Sequence, residues 1–470
     1  MKNCMDIKIS RENEGHWLEK GALGVRFDPK GKDGVIRERG EKHLLILNVP
    51  EREKVTQRKL MLLARRVIRE ALAKKYKQVV LDIKEWRFPQ VALSDEDLAE
   101  FLAVNFHMAH FEFREFMSPP KEGWSEVRQV LLTNASGTTF RSGVTRGSII
   151  GEEVNRSRHI ATMPGGDMTP ELLAKHAKES MKGLPVTCTV LDVRAMTRLK
   201  MGGVLGVGQG SQAKPCFIIL EYWGGEKKRS APIVLIGKGV TFDTGGINLK
   251  PSDFIGGMNM DMSGGAAVIH ALAAAARIEI KKNIVALIPA VENMPSGSSY
   301  RPGDVLRSMS GKTIEVMNTD AEGRIILADA LHYAKRYKPS LVVDVATLTG
   351  AAMGALGERA SALFTQDEKL EKLFRGLGEK SGDYVWPLPM WDEYDEEIKG
   401  TFGDVANLGK TRYGGAITAA VFLKQFVDKA YSWVHLDIAP RMTTLPDEFL
   451  AKGSAGAPIR LLVKLLEEES

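Results

Sequence analysis

Cysteine is scarce in this chain: Cys4, Cys188 and Cys216 are the only three in 470 residues, and no two form a C-x-x-C pair. So few thiols, so far apart, exclude a disulfide framework and a cysteine-type zinc site, and they suit a reducing cytosol. Histidine offers no local metal motif either, since the nine residues are scattered and no H-E-x-x-H occurs. A serine nucleophile has no G-x-S-x-G elbow to sit on. No stretch of about 18 apolar residues is present to span a membrane, and the opening MKNCMDIKISRENEGHW has no apolar run for a signal peptide. A cytoplasmic protein is therefore expected. Charge of one sign is lacking too: the net +6 arises from 65 basic and 59 acidic residues spread along the chain, which does not by itself argue for nucleic acid. What remains is ordinary globular composition, 44% hydrophobic and 26% charged, long enough for two domains.

The pattern predicts two unequal α/β domains. Across residues 1–155, apolar runs (HLLILNVP, QVVLDI, QVLLTN) alternate with helical patterns at 51–76 and 93–116, which reads as a small α/β domain. In the first of those helices Leu60, Leu63, Val67 and Ala71 share a face, while Arg58, Lys59, Arg65, Arg66, Arg69, Lys74 and Lys75 cover much of the rest. That is either a solvated face or a phosphate-binding patch. A connecting helix is expected near 145–161, stopped by Pro164, Gly165 and Gly166; Thr169 then caps a new helix with Glu171 in its first turn. The second domain, 162–470, repeats strand and helix through LPVTCTVLDV, CFIILEYW, APIVLIG, KNIVALIPAV, LVVDVATL and SWVHLDIA, predicting a mixed, mostly parallel sheet covered by helices.

Two glycine-rich stretches imitate nucleotide sites. SMSGKT resembles the end of a phosphate loop, but Leu306 stands where its first glycine belongs and a strand follows, not a helix. GGVLGVGQGS at 202–211 misses the dinucleotide register at Ser211 and is expected to be a loop.

The chemistry lies in two other stretches. MNTDAEGRI, 317–325, sets Asp320, Glu322 and Arg324 at alternate positions, so that in extended chain they would share one face. IGKGVTFDTGGINLKPSDFIGGMNMDMSGG, from 236, holds Lys238 between two glycines at a strand end, Asp243 before Gly245 and Gly246, then Lys250, and Asp261 just ahead of a small-residue helix. Together Asp243, Asp261, Asp320 and Glu322 bring a formal charge of minus four, which two divalent cations would balance. Oxygen-rich ligands suit manganese, magnesium or zinc. Lys238 could join such a site only as the neutral amine, while Lys250 and Arg324 would stay charged, one against a substrate oxygen and one against an anion. The residues themselves point to a two-metal hydrolase without naming its substrate, and a two-metal phosphoryl hydrolase remains open.

NTDAEGR, GKGVTFDTGGINLKP and MDMSGGAAV, followed in order by DVATLTGA, FGDVANLG, GGAITAAVFLKQFV and WVHLDIA, resemble the leucyl (cytosol) aminopeptidase family of dinuclear metallopeptidases. The resemblance runs over roughly residues 160 to 465 and implies a macro-like α/β fold for the small N-terminal domain and a mixed-sheet catalytic domain after it. It implies that Lys238, Asp243, Asp261 and Glu322 hold the tighter metal and that Asp243, Asp320 and Glu322 hold a more exchangeable one, the metals being manganese or zinc. It further implies that Arg324 holds a bicarbonate general base, that Lys250 polarises the scissile carbonyl, and that Asp261 meets the free α-amine of a peptide substrate. Met258, Thr347, Leu348 and Gly350 match the first side-chain pocket, leucine-like in preference but broad, because one methylene discriminates by only about 1–3 kcal/mol. A homohexamer is implied, and some relatives bind DNA, which leaves nucleic acid as a possible second role. The chain departs from the family pattern at PRMTT and KGSAGAPIR, where Ser454 and its neighbours approach the substrate pocket in such enzymes, so side-chain preference is left open.

Overall fold

A computed structural model of the chain describes residues 5–12, 21–39, 42–225 and 230–468; Cys4 lies outside the described residues. The chain divides into two compact units, one of residues up to 155 together with 444–452, the other of 156–443 together with 453 onward. The segment 444–452, which no local pattern separates from the second domain, thus belongs with the first unit.

The first unit is built on a six-stranded mixed sheet in the order Asp6–Ile9, Gln129–Thr133, Gln78–Asp82, Ala22–Phe27, Lys42–Leu47 and Val35–Arg39, parallel except at the last pairing. Two helices cover it. Gln57–Ala73 starts at the Thr56 cap and buries Leu60, Ala64, Val67, Ile68 and Ala71, whose spacing makes one helical stripe. Asp95–His110 starts at Ser94, whose side chain accepts from the Asp97 N–H at 3.1 Å. Both are shorter than the predicted 51–76 and 93–116: the caps at Thr56 and Ser94 set their starts, and the chain leaves the helix at Lys74 and, in extended conformation, at Phe111. The basic positions of the first helix are largely tied within the unit: Arg65 is buried against Asn105, Arg66 pairs with Asp33 at 2.8 Å and Arg69 with Glu112 at 2.7 Å. That accounts for much of its charge without a phosphate ligand.

The connecting helix runs Thr138–Thr162, a turn and more longer at its start than predicted. Thr169 caps Pro170–Ser180, its hydroxyl accepting from Leu172 N at 3.2 Å. The second unit carries a nine-stranded mixed sheet. Its centre is four parallel strands, Ser432–Asp437, Leu341–Ala346, Ile233–Gly237 and Asn283–Asn293, and Gly239–Asp243 continues beside the last of these. Antiparallel neighbours flank them, Cys216–Trp223 on one side and Ser361–Phe364 on the other. The central strands are almost wholly buried and mostly apolar, as a sheet covered on both faces requires. A small three-stranded sheet of Val305–Arg307, Thr313–Glu315 and Val405–Ala406 lies apart. SMSGKT spans the turn between the first two of these strands.

The glycine-rich 202–211 is not the expected loop: Gly202–Gly208 is a short helix. Buried Asp329 caps it, accepting from Val204 N at 3.0 Å. Its glycines are packing requirements, since a Cβ on Gly202 would stand 2.0 Å from the Arg307 carbonyl and one on Gly203 2.5 Å from that of Ile325. Tertiary crowding, invisible in local pattern, explains the composition. No helix among the described residues is long and apolar enough to cross a membrane.

Candidate metal centre

The parallel strands all end at the same edge, where α/β sheets place their sites. Lys238 follows Ile233–Gly237, Asp243 closes Gly239–Asp243, Asn293 closes Asn283–Asn293, Thr347 and Leu348 follow Leu341–Ala346, and Asp437 closes Ser432–Asp437. Two helix starts face the same edge. Asp261 lies in the 3-10 turn Met258–Met262 just before the helix Ser263–Arg277, and Glu322 opens the helix Glu322–Ala334. The alternating D-x-E-x-R is therefore not extended chain. Asp320 precedes the helix while Glu322 and Arg324 lie two positions apart within its first turn, which turns them to different sides.

One oxygen each of Asp243, Asp320 and Glu322 lies within 4.8 Å of the others. Lys238 Nζ stands 2.8 Å from Asp261 and 2.8 Å from Glu322, and it donates to the Thr347 carbonyl at 2.9 Å. Lys250 contacts Asp243 at 2.9 Å and also Asp320. The structure thus brings together all five expected ligands and Lys250. Side chains missed by sequence reasoning hold the acids in place: Asn293 Nδ2 donates to Asp243 Oδ1 at 2.8 Å, and Thr347 Oγ1, expected only as a pocket residue, donates to Asp261 Oδ1 at 2.7 Å. Asn293 is a polar residue ending an apolar strand, a signal that could have been used.

The electrostatics are those of a buried cluster with too much negative charge. Burial pushes the Asp243 carboxyl up to about 7, Glu322 adds to that, and Lys250 and Lys238 oppose it. Burial raises Asp261 well above its ordinary range and raises Asp320 as well. Burial pushes Glu322 the same way, but Lys238 and Lys250 outweigh it and hold that carboxyl low. Burial alone would lower Lys238; the carboxylates of Asp261 and Glu322 outweigh it and raise it. That is the opposite of the neutral amine expected of a ligand, and divalent ions among these acids would reverse the local field.

The donor set fits such ions. Four carboxylates converge, two ammonium groups balance only half their charge, and Glu322 Oε2 is buried with no hydrogen-bond partner. Arg324 is buried with Nε and Nη1 unpartnered; burial lowers it to about 10 while Glu322 and Asp437 support its charge. Unused guanidinium donors in a dry place fit a planar oxyanion.

The expected pocket residues are less tightly grouped. Thr347 is buried beside Asp261, Leu348 donates its N–H to Asp437 at 3.0 Å, Gly350 opens the helix Gly350–Leu356, and Met258, half-buried, opens the turn that bears Asp261. Ser454 is buried, its N–H donating to Thr162 Oγ1 at 3.1 Å and its carbonyl accepting from Arg158 at 2.9 Å.

Comparison with known proteins gives the family. Residues 155–463 match the catalytic domain of the cytosol aminopeptidase family. A probable cytosol aminopeptidase of Azoarcus sp. (strain BH72) is 45% identical over 74% of this chain and 68% of its own length. One from Roseiflexus castenholzii is 44% identical over 79% of this chain and 77% of its own. Among solved structures, the bottromycin maturation enzyme BotP in complex with Mn superposes with a TM-score of 0.86 at 29% identity, covering 96% of this chain and 99% of that one. A mutant of tomato leucine aminopeptidase gives 0.88 at 27% identity, covering 99% of this chain and 97% of that one. The chain belongs to the cytosol aminopeptidase family and is a metal-dependent aminopeptidase.

Proposed function

We propose that the enzyme removes the N-terminal residue from peptides, preferring leucine-like residues broadly, with two divalent ions, manganese or zinc. Lys238, Asp243, Asp261 and Glu322 would hold one ion, and Asp243, Asp320 and Glu322 the other. When bound, the ions supply Lewis acidity toward a peptide carbonyl and lower the pKa of water. The observation that carries this reading is the buried cluster of acids whose charge two lysines only half balance.

The chain's own groups divide the remaining work. Asp261 is the acceptor for the substrate's free α-amine. Lys250, drawn from the carboxylates once they have other cations, donates to the carbonyl oxygen and to the negative charge that develops on it. Arg324, with two donors unused, holds a bicarbonate, whose basicity is what that anion would supply. Met258, Thr347, Leu348 and Gly350 border the side chain of the residue removed. A homohexameric assembly and a cytosolic location complete the proposal, the latter supported by the names of the relatives; light scattering tests the former, with a monomeric mass at full activity counting against it.

The test is hydrolysis of leucine p-nitroanilide beside its N-acetylated form. Cleavage of the free-amine substrate alone is expected. Equal cleavage of both would remove the role given to Asp261, and cleavage of neither, with any metal or amino-acyl group, would overturn the reading.

A further inference from the structure

Residues 316–321 link the strand Thr313–Glu315 to the helix Glu322–Ala334 and carry Asp320. Of the acids in the cluster Asp320 is the least enclosed, its side chain 33% exposed where those of Asp243, Asp261 and Glu322 are 2–5%. Packing therefore does little to fix it, and its placement depends on the backbone beneath.

Several side chains hold that backbone: Tyr300 Oη and Asn293 Nδ2 donate to the Thr319 carbonyl at 2.6 and 2.9 Å, and Asn407 grips it at the most points. Asn407, fully buried and just past the strand Val405–Ala406, accepts at Oδ1 from Met317 N (2.7 Å) and Asn318 N (3.3 Å). Its Nδ2 donates to the carbonyls of Asn318 (2.7 Å) and Ala321 (3.3 Å). A carboxamide has two N–H donors and two acceptor lone pairs, so its whole capacity is spent on the turn on both sides of Asp320. Its own backbone N–H is anchored to the Glu315 carbonyl at 3.0 Å. Asn318 Oδ1 passes the restraint on by accepting the Asp320 N–H at 2.7 Å. Asn248 pins Thr319 from another segment, its Oδ1 accepting from Thr319 N at 2.9 Å.

We propose that Asn407 is a positioning residue that sets the affinity of the one cation Asp320 would ligate, and leaves the other position nearly untouched. Glu322 does not share this dependence, being enclosed at the helix start and paired with Lys238 at 2.8 Å. The inference rests on the two-cation reading given above.

The experiment is calorimetric titration of Mn²⁺ into the full chain stripped of metal, for the wild type, Asn407→Ala and Asn407→Asp. The aspartate keeps both acceptor bonds and turns an oxygen toward the two carbonyls. Two classes of site are expected in the wild type, and in both variants the weaker class should lose about 10- to 100-fold in affinity while the tighter is unchanged. Turnover at saturating Mn²⁺ should recover, which a loss of folding would not permit. Should Asn407→Ala fail to fold, Asn318→Ala, which removes only the bond to the Asp320 N–H, should weaken the same class to a smaller degree. Two sites in the wild type with unshifted variants, or with both classes weakened alike, would overturn this inference alone. Fewer than two sites in the wild type would overturn the two-cation reading and this inference with it.

Discussion

Arg65 in the first unit and Glu322 in the second are both ionised side chains buried on helices, and they are treated in opposite ways. Arg65 Nε donates to Asn105 at 2.8 Å, with Met108 Sδ and the Glu448 carbonyl about its other nitrogens. These three contacts are to neutral acceptors of the same unit, and through them it works as a strut. Glu322 has one oxygen against Lys238 and the other without a hydrogen-bond partner, in the company of three more acids. Burying a charge costs several kcal/mol unless it is compensated, so a fold tolerates an excess only where something else is to be bound. Buried charge by itself does not mark a site; buried charge of one sign left in surplus does.

Substitutions can break this contrast. Asp243→Asn should lower turnover roughly a thousandfold or more, at least about 4 kcal/mol of barrier, and release bound metal, while the melting temperature holds or rises as repulsion is relieved. Retained turnover in that variant would show that the surplus charge is structural. Phe106→Ala, at a fully buried position of the first unit, should cost about 3–5 kcal/mol of stability by chemical denaturation with turnover per folded molecule unchanged.

Acid should separate the units further. Burial, with some help from His110, lowers His107 from 6.5 to about 4, so the unfolded chain binds the proton more readily than the folded one. Stability from this group is complete above pH 6.5, falls as pH drops from 6.5 toward 4, and is level below that, amounting to about 3 kcal/mol. Replacing His107 with leucine should flatten that part of the pH–stability curve, and an unchanged slope would count against it. The smallest effect expected is that of Gly323→Ala. Its Cβ would lie 2.7 Å from Lys238 Cε, displacing that lysine and reducing turnover by about 100-fold through misplacement with little loss of stability.

Much of this was legible in the chain. The six apolar runs of the second domain all became strands, and acids set among glycines and apolar residues drew attention because neither core nor surface explains them. Three strands of the first unit were missed. Asp6–Ile9, for example, is short and alternates charged and apolar residues, which matches a solvated edge as well as a strand. D-x-E-x-R reads as extended from sequence because the apolar helical pattern shows only from Ile325, while the helix begins at Glu322 with no side-chain cap to announce it. Asn293 and Asn407 stayed hidden for another reason. Their partners are main-chain atoms and carboxylates tens of residues away, and no local period records such contacts.

The central claim is that the surplus of buried carboxylates exists to hold two cations on which hydrolysis depends. The most direct measurement is to strip the enzyme with a chelator, add Mn²⁺ back in steps, and record bound ions per chain and leucine p-nitroanilide hydrolysis on the same samples. The account predicts no hydrolysis without metal, binding that saturates at two ions per chain, and full activity only as the second is taken up. Hydrolysis by the stripped enzyme, or a stripped enzyme that binds no Mn²⁺, would contradict it.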